Sequence, residues 1–213
     1  MKKIFLILSI FVTFCFSANA ADKKEGDMKM IYIVHGFGAS PDSHWFIWLK
    51  EKLEANKNVH VKILNMPEPF NPSLDSWIST INKEATNLSS NTFFVGHSLG
   101  VISTLKFIEQ KPDIEIGGAV LVSGFDKPLA ILPILNKFTE KKLDYKVIKQ
   151  KIKNIASITA SDDEIVPSSL TRELAQNIGS EYIELKSGKH FLDSDGYTSF
   201  ELVYEILENM IKQ

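Results

Sequence analysis

Cysteine is almost missing from this chain: Cys15 is the only one in 213 residues. It lies in an N-terminal stretch that reads as removable, so the expected mature protein has neither disulfide staples nor cysteine catalysis. Long apolar runs are just as scarce. The one candidate, Ile4 to Phe16, is 13 residues long, short of the ~18–20 needed to cross a bilayer. Lys2 and Lys3 precede it and Ala18-Asn19-Ala20 follows, the layout of a secretory signal cleaved after Ala20. The expectation is a soluble mature chain from Ala21, periplasmic or secreted, without a membrane span.

A basic excess is missing too. The formal net charge is -2, and losing Lys2 and Lys3 takes it to -4, which argues against a nucleic-acid partner. The lysines between Lys137 and Lys153 alternate with acids and apolar residues and read as a solvated helical face. None of the five histidines shows metal-ligand spacing such as H-E-x-x-H, so neither a catalytic metal nor a cofactor is expected. Without staples, stability must come from a core. Hydrophobic residues make up 44% of the chain, and roughly 190 mature residues suffice for one domain.

Behind a polar leader from Asp22 to Asp27, short β-rich runs alternate with amphipathic stretches, the rhythm of stacked βαβ units on a parallel sheet. Strands are expected at Met30 to Val34, Val59 to Leu64, Thr92 to Val95, Gly118 to Val122, Ile155 to Thr159 and Glu181 to Leu185. Helices are expected from near Ser43, which would cap the first, and over Leu74 to Leu88, Leu99 to Gln110, Ser168 to Ile178 and Thr198 to Ile211. Gly124 to Ile152 is long for an αβ connection. It reads equally as a small cap or as one crossover helix with a long leading loop.

Gly96-His97-Ser98-Leu99-Gly100 stands between an apolar strand and a helix, as a nucleophile elbow would. A serine hydroxyl needs a general base, and the base a carboxylate. Asp162-Asp163 follows the fifth strand and His190 the sixth, so both reach the sheet edge that carries Ser98. Ser98 is the expected nucleophile, His190 the base and Asp163 the acid, with Asp162 and Asp126 as alternative acids. The loop His35-Gly36-Phe37-Gly38 follows the first strand. It lacks a Walker lysine and the third glycine of a dinucleotide fingerprint, and the amides of Phe37 and Leu99 are the candidate oxyanion donors. Of the other histidines, His97 should point away from the hydroxyl and His35 should shape the oxyanion loop. His44 and His60 read as ordinary surface or helix-terminal residues. Trp45 is a candidate to line an acyl or leaving-group pocket, Phe37 and Phe191 flank the site and suggest an apolar acyl pocket, and Phe125 and Leu129 could close it.

Together, His44-Trp45-x-x-Trp48-Leu49, the Gly-His-Ser-Leu-Gly elbow, Leu121-Val122-Ser123-Gly124-Phe125, Asp163-x-x-Val166-Pro167 and Gly188-Lys189-His190-Phe191 resemble the YdeN-like small serine hydrolases of the α/β-hydrolase superfamily, related to retinoblastoma-binding protein 9. The resemblance spans about residues 30 to 210. It implies a compact three-layer α/β/α sandwich around a mainly parallel sheet of about six strands, without the large cap of lipases, and a triad on Ser98, Asp163 and His190. The expected activity is cleavage of small carboxylic esters through an acyl-enzyme. An amidase or peptidase using the same triad, and a non-catalytic binding protein on the same fold, are the alternatives. The secretory signal departs from the family pattern, since its members commonly lack one.

Overall fold

The computed structural model describes residues 28–213. The leader and its expected cleavage site lie outside the described residues. Six strands form one all-parallel sheet: β1 (Lys29–Val34), β2 (Val59–Leu64), β3 (Thr92–His97), β4 (Ile116–Val122), β5 (Ile152–Ala160) and β6 (Glu181–Leu185), in the order β2-β1-β3-β4-β5-β6. β3 and β4 are buried along their whole length, as central strands covered by helices on both faces must be.

The helices are α1 (Phe46–Glu54), α2 (Leu74–Glu84), α3 (Leu99–Gln110), α4 (Tyr145–Lys151), α5 (Ser168–Ile178) and α6 (Glu201–Ile211). α1 and α6 cover one face of the sheet through Phe46, Leu49, Leu53, Val203 and Leu207. On the other face, α2 to α5 bring Trp77, Ile81, Leu105, Ile148 and Leu174 into a second core. The expected three-layer α/β architecture is therefore borne out.

From β1 the chain steps outward to β2, then crosses back to place β3 on the other side of β1. This reversal is a topological switch point, where the connections leaving neighbouring strands diverge and open a crevice at their carboxyl ends. The loop after β1 and the turn after β3 border that crevice.

Local expectations depart at several places, among them α2, which ends at Glu84 instead of Leu88, and α6, which begins at Glu201 instead of Thr198. Ser43 does not cap α1: its hydroxyl accepts the Ser40 amide at 2.9 Å and closes its own turn, while the helix begins after Trp45 with no side-chain cap. β5 starts at Ile152, earlier than expected, because α4 runs straight into it. Residues 124–152 are the β4-to-β5 crossover, with a long leading loop, a 3-10 turn at Pro133–Phe138 and α4. Phe125, Leu129, Leu135, Phe138, Leu143 and Ile148 all join the core on the α3 side, so this segment lies down on the domain.

Candidate active site

Ser98 sits between β3 and α3 with φ 54° and ψ −117°, a left-handed conformation that costs a non-glycine residue about 1–3 kcal/mol. Backbone hydrogen bonds on both sides hold it: the Ser98 amide donates to Val122 O at 2.9 Å, and the Val101 amide donates to Ser98 O at 3.0 Å. The second elbow glycine is required by the crossing behind the turn. A Cβ at Gly100 would stand 2.0 Å from the Val34 carbonyl oxygen, so only glycine lets α3 descend onto β1.

His190 stands on the loop after β6, and its Nδ1 lies 2.9 Å from Asp163 Oδ2 and 3.1 Å from Oδ1. Ser98, Asp163 and His190 are all buried. Asp163 is fully engaged. Its Oδ1 accepts the Ile165 and Val166 amides, both at 2.9 Å, and its Oδ2 accepts the Ser123 hydroxyl at 2.8 Å. Those donors fix the rotamer and leave Oδ2 facing the imidazole.

The histidine loop is itself strained, with Lys189 at φ 47° and Phe191 at φ 58°. Four residues from other segments pin it. Asp162 Oδ1 accepts the Gly188 and Lys189 amides at 2.9 and 2.8 Å. His97 Nε2 donates to His190 O at 2.9 Å, Trp45 Nε1 donates to Phe191 O at 3.1 Å, and Asp163 holds the ring. Asp162, an alternative acid by sequence, is thus a brace for the loop. Asp126, the other alternative, accepts the Tyr145 hydroxyl at 2.6 Å within the crossover, and burial followed by that bond pushes Tyr145 up to about 12.

His35 organises the loop after β1. Its Nε2 accepts the Met66 amide at 3.1 Å, so its proton is on Nδ1, which donates to Gly36 O at 2.8 Å. In a trans peptide the carbonyl and the following N–H point opposite ways, so anchoring Gly36 O turns the Phe37 amide away from His35. A Cβ at Gly36 would lie 3.0 Å from Ser98 Cβ, which places this backbone against the serine. The amides of Phe37 and Leu99 have no hydrogen-bond partner among the described residues. The Leu99 amide also opens α3, where the helix dipole favours negative charge.

Of the residues named for the pocket, Phe37 alone keeps partial exposure. Trp45, Phe125 and Phe191 have no exposed surface and Leu129 has 3%. Trp45 packs edge-on to Phe46 and Phe200, and Phe191 packs on Tyr197 and Phe200; Phe125 and Leu129 join the opposite core. Large rings beside a site gain more from complete burial, about 1.5–3 kcal/mol each, than from a half-wet rim. Sequence reasoning also missed the loop-holding role of His97, the Ser123 hydroxyl on Asp163, and His44, whose ring stacks edge-on to His97 at 5.5 Å. Each left a trace only as a motif letter: His44 in the His-Trp-x-x-Trp-Leu run, His97 in the elbow and Ser123 in the Leu-Val-Ser-Gly-Phe run. Among the described residues no three His, Cys, Asp or Glu side chains gather as a metal site, and no helix is long and apolar enough to cross a membrane.

A family model described as serine hydrolase matches residues 31–209. The chain belongs to the serine hydrolase family. This hydrolase is 42% identical over 180 residues to the YdeN protein of Bacillus subtilis, covering 84% of its own length and 94% of the relative's. The crystal structure of the B. subtilis ydeN gene product superposes with a TM-score of 0.85 at 41% identity, over 87% of the present hydrolase and all of the other. Est1E from Butyrivibrio proteoclasticus shares the fold, with a TM-score of 0.67 at 15% identity, over 90% and 92% of the two chains.

Burial holds two of the site histidines neutral. It lowers His35, and burial followed by repulsion from His190 and His44 takes His97 well below the ordinary value near 6.5. Such a group binds its proton in the unfolded chain before the folded one, so stability falls as pH drops below about 6.5, by up to ~1.4 kcal/mol per pH unit per histidine. The melting temperature should be level near pH 7.5 and decline between pH 6.5 and 5, above the range where carboxylates titrate. His97→Gln should soften the decline in a pH series of calorimetric scans; an identical profile would remove His97 from this account.

Proposed function

We propose that this hydrolase cleaves small carboxylic esters through an acyl-enzyme intermediate, with Ser98, His190 and Asp163 as the triad. The observation that carries the reading is the buried Asp163–His190 pair, on a loop that His97 ties to the strained Ser98 elbow. His190 Nε2 takes the proton of the Ser98 hydroxyl as Oγ attacks the ester carbonyl, and the Asp163 carboxylate stabilises the imidazolium through Nδ1. The Phe37 and Leu99 amides receive the developing oxyanion, each worth roughly 3–4 kcal/mol in such sites. The imidazolium then protonates the leaving alkoxide. Neutral His190 next activates water, which attacks the acyl carbon and restores Ser98.

The choice of esters is supported by fold neighbours such as Est1E, which has been solved with ferulic acid bound. A fluorophosphonate probe tests the triad directly. The expected result is one covalent label that maps to Ser98 in a peptide digest; label elsewhere, or none on the folded protein, would overturn the assignment.

We propose further that residues 1–20 direct the chain out of the cytoplasm and are removed. Expressed in a secreting host, the extracytoplasmic product should have the intact mass of a chain that starts at Ala21, and retention of the leader would refute this.

A further inference from the structure

We propose that Phe70, with Phe37 beside it, is a shelf for the acyl group, and that the preferred substrates are esters of apolar aryl or medium-chain acids rather than of short or anionic ones. This rests on ester cleavage at Ser98 and adds where the acyl group lies.

Phe70 is 71% exposed, the highest value among the large hydrophobic residues exposed in the described chain. An aromatic left in water forgoes the stabilisation of burial, and a mobile loop would let it fold inward. This loop is held. The Asn71 amide closes a turn on Glu68 O at 2.9 Å, with Glu68 itself at φ 46°. Pro67, Pro69 and Pro72 stiffen the same stretch. Trp77 Nε1 donates to Pro67 O at 2.8 Å, and the Gly38 amide donates to Pro69 O at 2.9 Å, fastening the turn to the oxyanion loop. The Phe70 ring covers Gly38 so closely that a Cβ there would stand 3.1 Å from Cε1, and it meets Phe37 edge-on at 6.1 Å. A rigid mount therefore presents an apolar face one residue beyond a proposed oxyanion donor.

Strand order then decides which half of the ester meets it. Phe37 and Phe70 follow β1 and β2, on one side of Ser98 at the end of β3; Asp163 and His190 follow β5 and β6, on the other. The leaving oxygen must take its proton from His190, so the alcohol half extends toward β5 and β6. With the carbonyl oxygen on the Phe37 and Leu99 amides, the acyl half is left to the β1 and β2 side. The exposed Glu68 carboxylate there disfavours an anionic acyl group.

The test is kcat/KM on p-nitrophenyl acetate, butyrate, hexanoate, octanoate and benzoate, and on an alcohol series at constant acyl group, for the wild type, Phe70→Ala and Phe70→Leu. Ile47→Ala on α1, also an exposed apolar residue, is the control. The wild type should prefer octanoate or benzoate to acetate. Phe70→Ala should reduce that preference about tenfold, the scale of one lost apolar contact in a pocket, with Phe70→Leu between and Ile47→Ala unchanged. A wild type that favours acetate, or a Phe70→Ala effect that follows the alcohol series instead, would overturn the shelf. Absence of turnover on every ester, with Ser98 still labelled by the fluorophosphonate, would overturn the ester reading and the shelf together. Turnover with a flat acyl profile would overturn the shelf alone.

Discussion

Replacing Ser98 with alanine is expected to lower ester turnover by on the order of 10^6-fold, the usual cost of removing a triad nucleophile, while the protein stays folded. The variant keeps Cβ and loses one oxygen, so nothing enters the crowded space between the elbow and Gly36. The strained φ of 54° persists, but it is set by backbone hydrogen bonds to Val122 and Val101 that alanine also makes. Stability should therefore shift by about 1 kcal/mol or less, within the range of mild substitutions. A rate assay beside a thermal melt separates the two effects. A folded Ser98→Ala protein that retained turnover would place the chemistry elsewhere and sink the mechanism.

The second large effect separates three carboxylates that lie close in sequence or in function. Asp163→Asn should cost about 10^4-fold in kcat, because the new amide presents N–H to His190 Nδ1 and favours the wrong tautomer. The other face of residue 163 makes that orientation hard to avoid. Oδ1 must keep accepting the Ile165 and Val166 amides, so the amide nitrogen falls at the Oδ2 position, facing His190 and the Ser123 hydroxyl. Asp162→Asn should lose only a few-fold, since an asparagine carbonyl can still accept the Gly188 and Lys189 amides through the same oxygen. Asp126→Asn should change kcat little, because that carboxylate engages Tyr145 in the crossover and not His190. A variant series in which Asp126 or Asp162 carried the large loss would move the acid from Asp163.

Much of this site was legible before any coordinates, and for a definite reason. Parallel strands deliver their carboxyl ends to one edge, so Ser98, Asp163 and His190 could be gathered at that edge from their order along the chain. The elbow was readable because two small residues flank a serine where a strand meets a helix, and the Val34 carbonyl behind Gly100 now explains the second of them. Of the residues proposed to face the substrate, Phe37 was legible and Phe70 was not. Trp45 and Phe191 have the composition of a pocket wall, but they pack around Phe200, which belongs to the last connection of the chain. Phe70 offered no pattern at all, because its significance depends on a turn fastened to a loop some thirty positions away.

The layered α/β architecture could be read from the chain alone, because local periodicity is a property of neighbouring residues, and a set of short motifs carried the resemblance to the family and with it the proposed roles of Ser98, Asp163 and His190. Folding alone makes Asp163 face His190 while Asp162 braces its loop, lets His97 and Trp45 hold consecutive carbonyls of the histidine segment, and stands Phe70 over the loop after β1. Adjacent aspartates, and buried versus exposed aromatics, share composition and spacing. They differ in which distant backbone donors and rings they meet, and those partners come together only when the sheet closes.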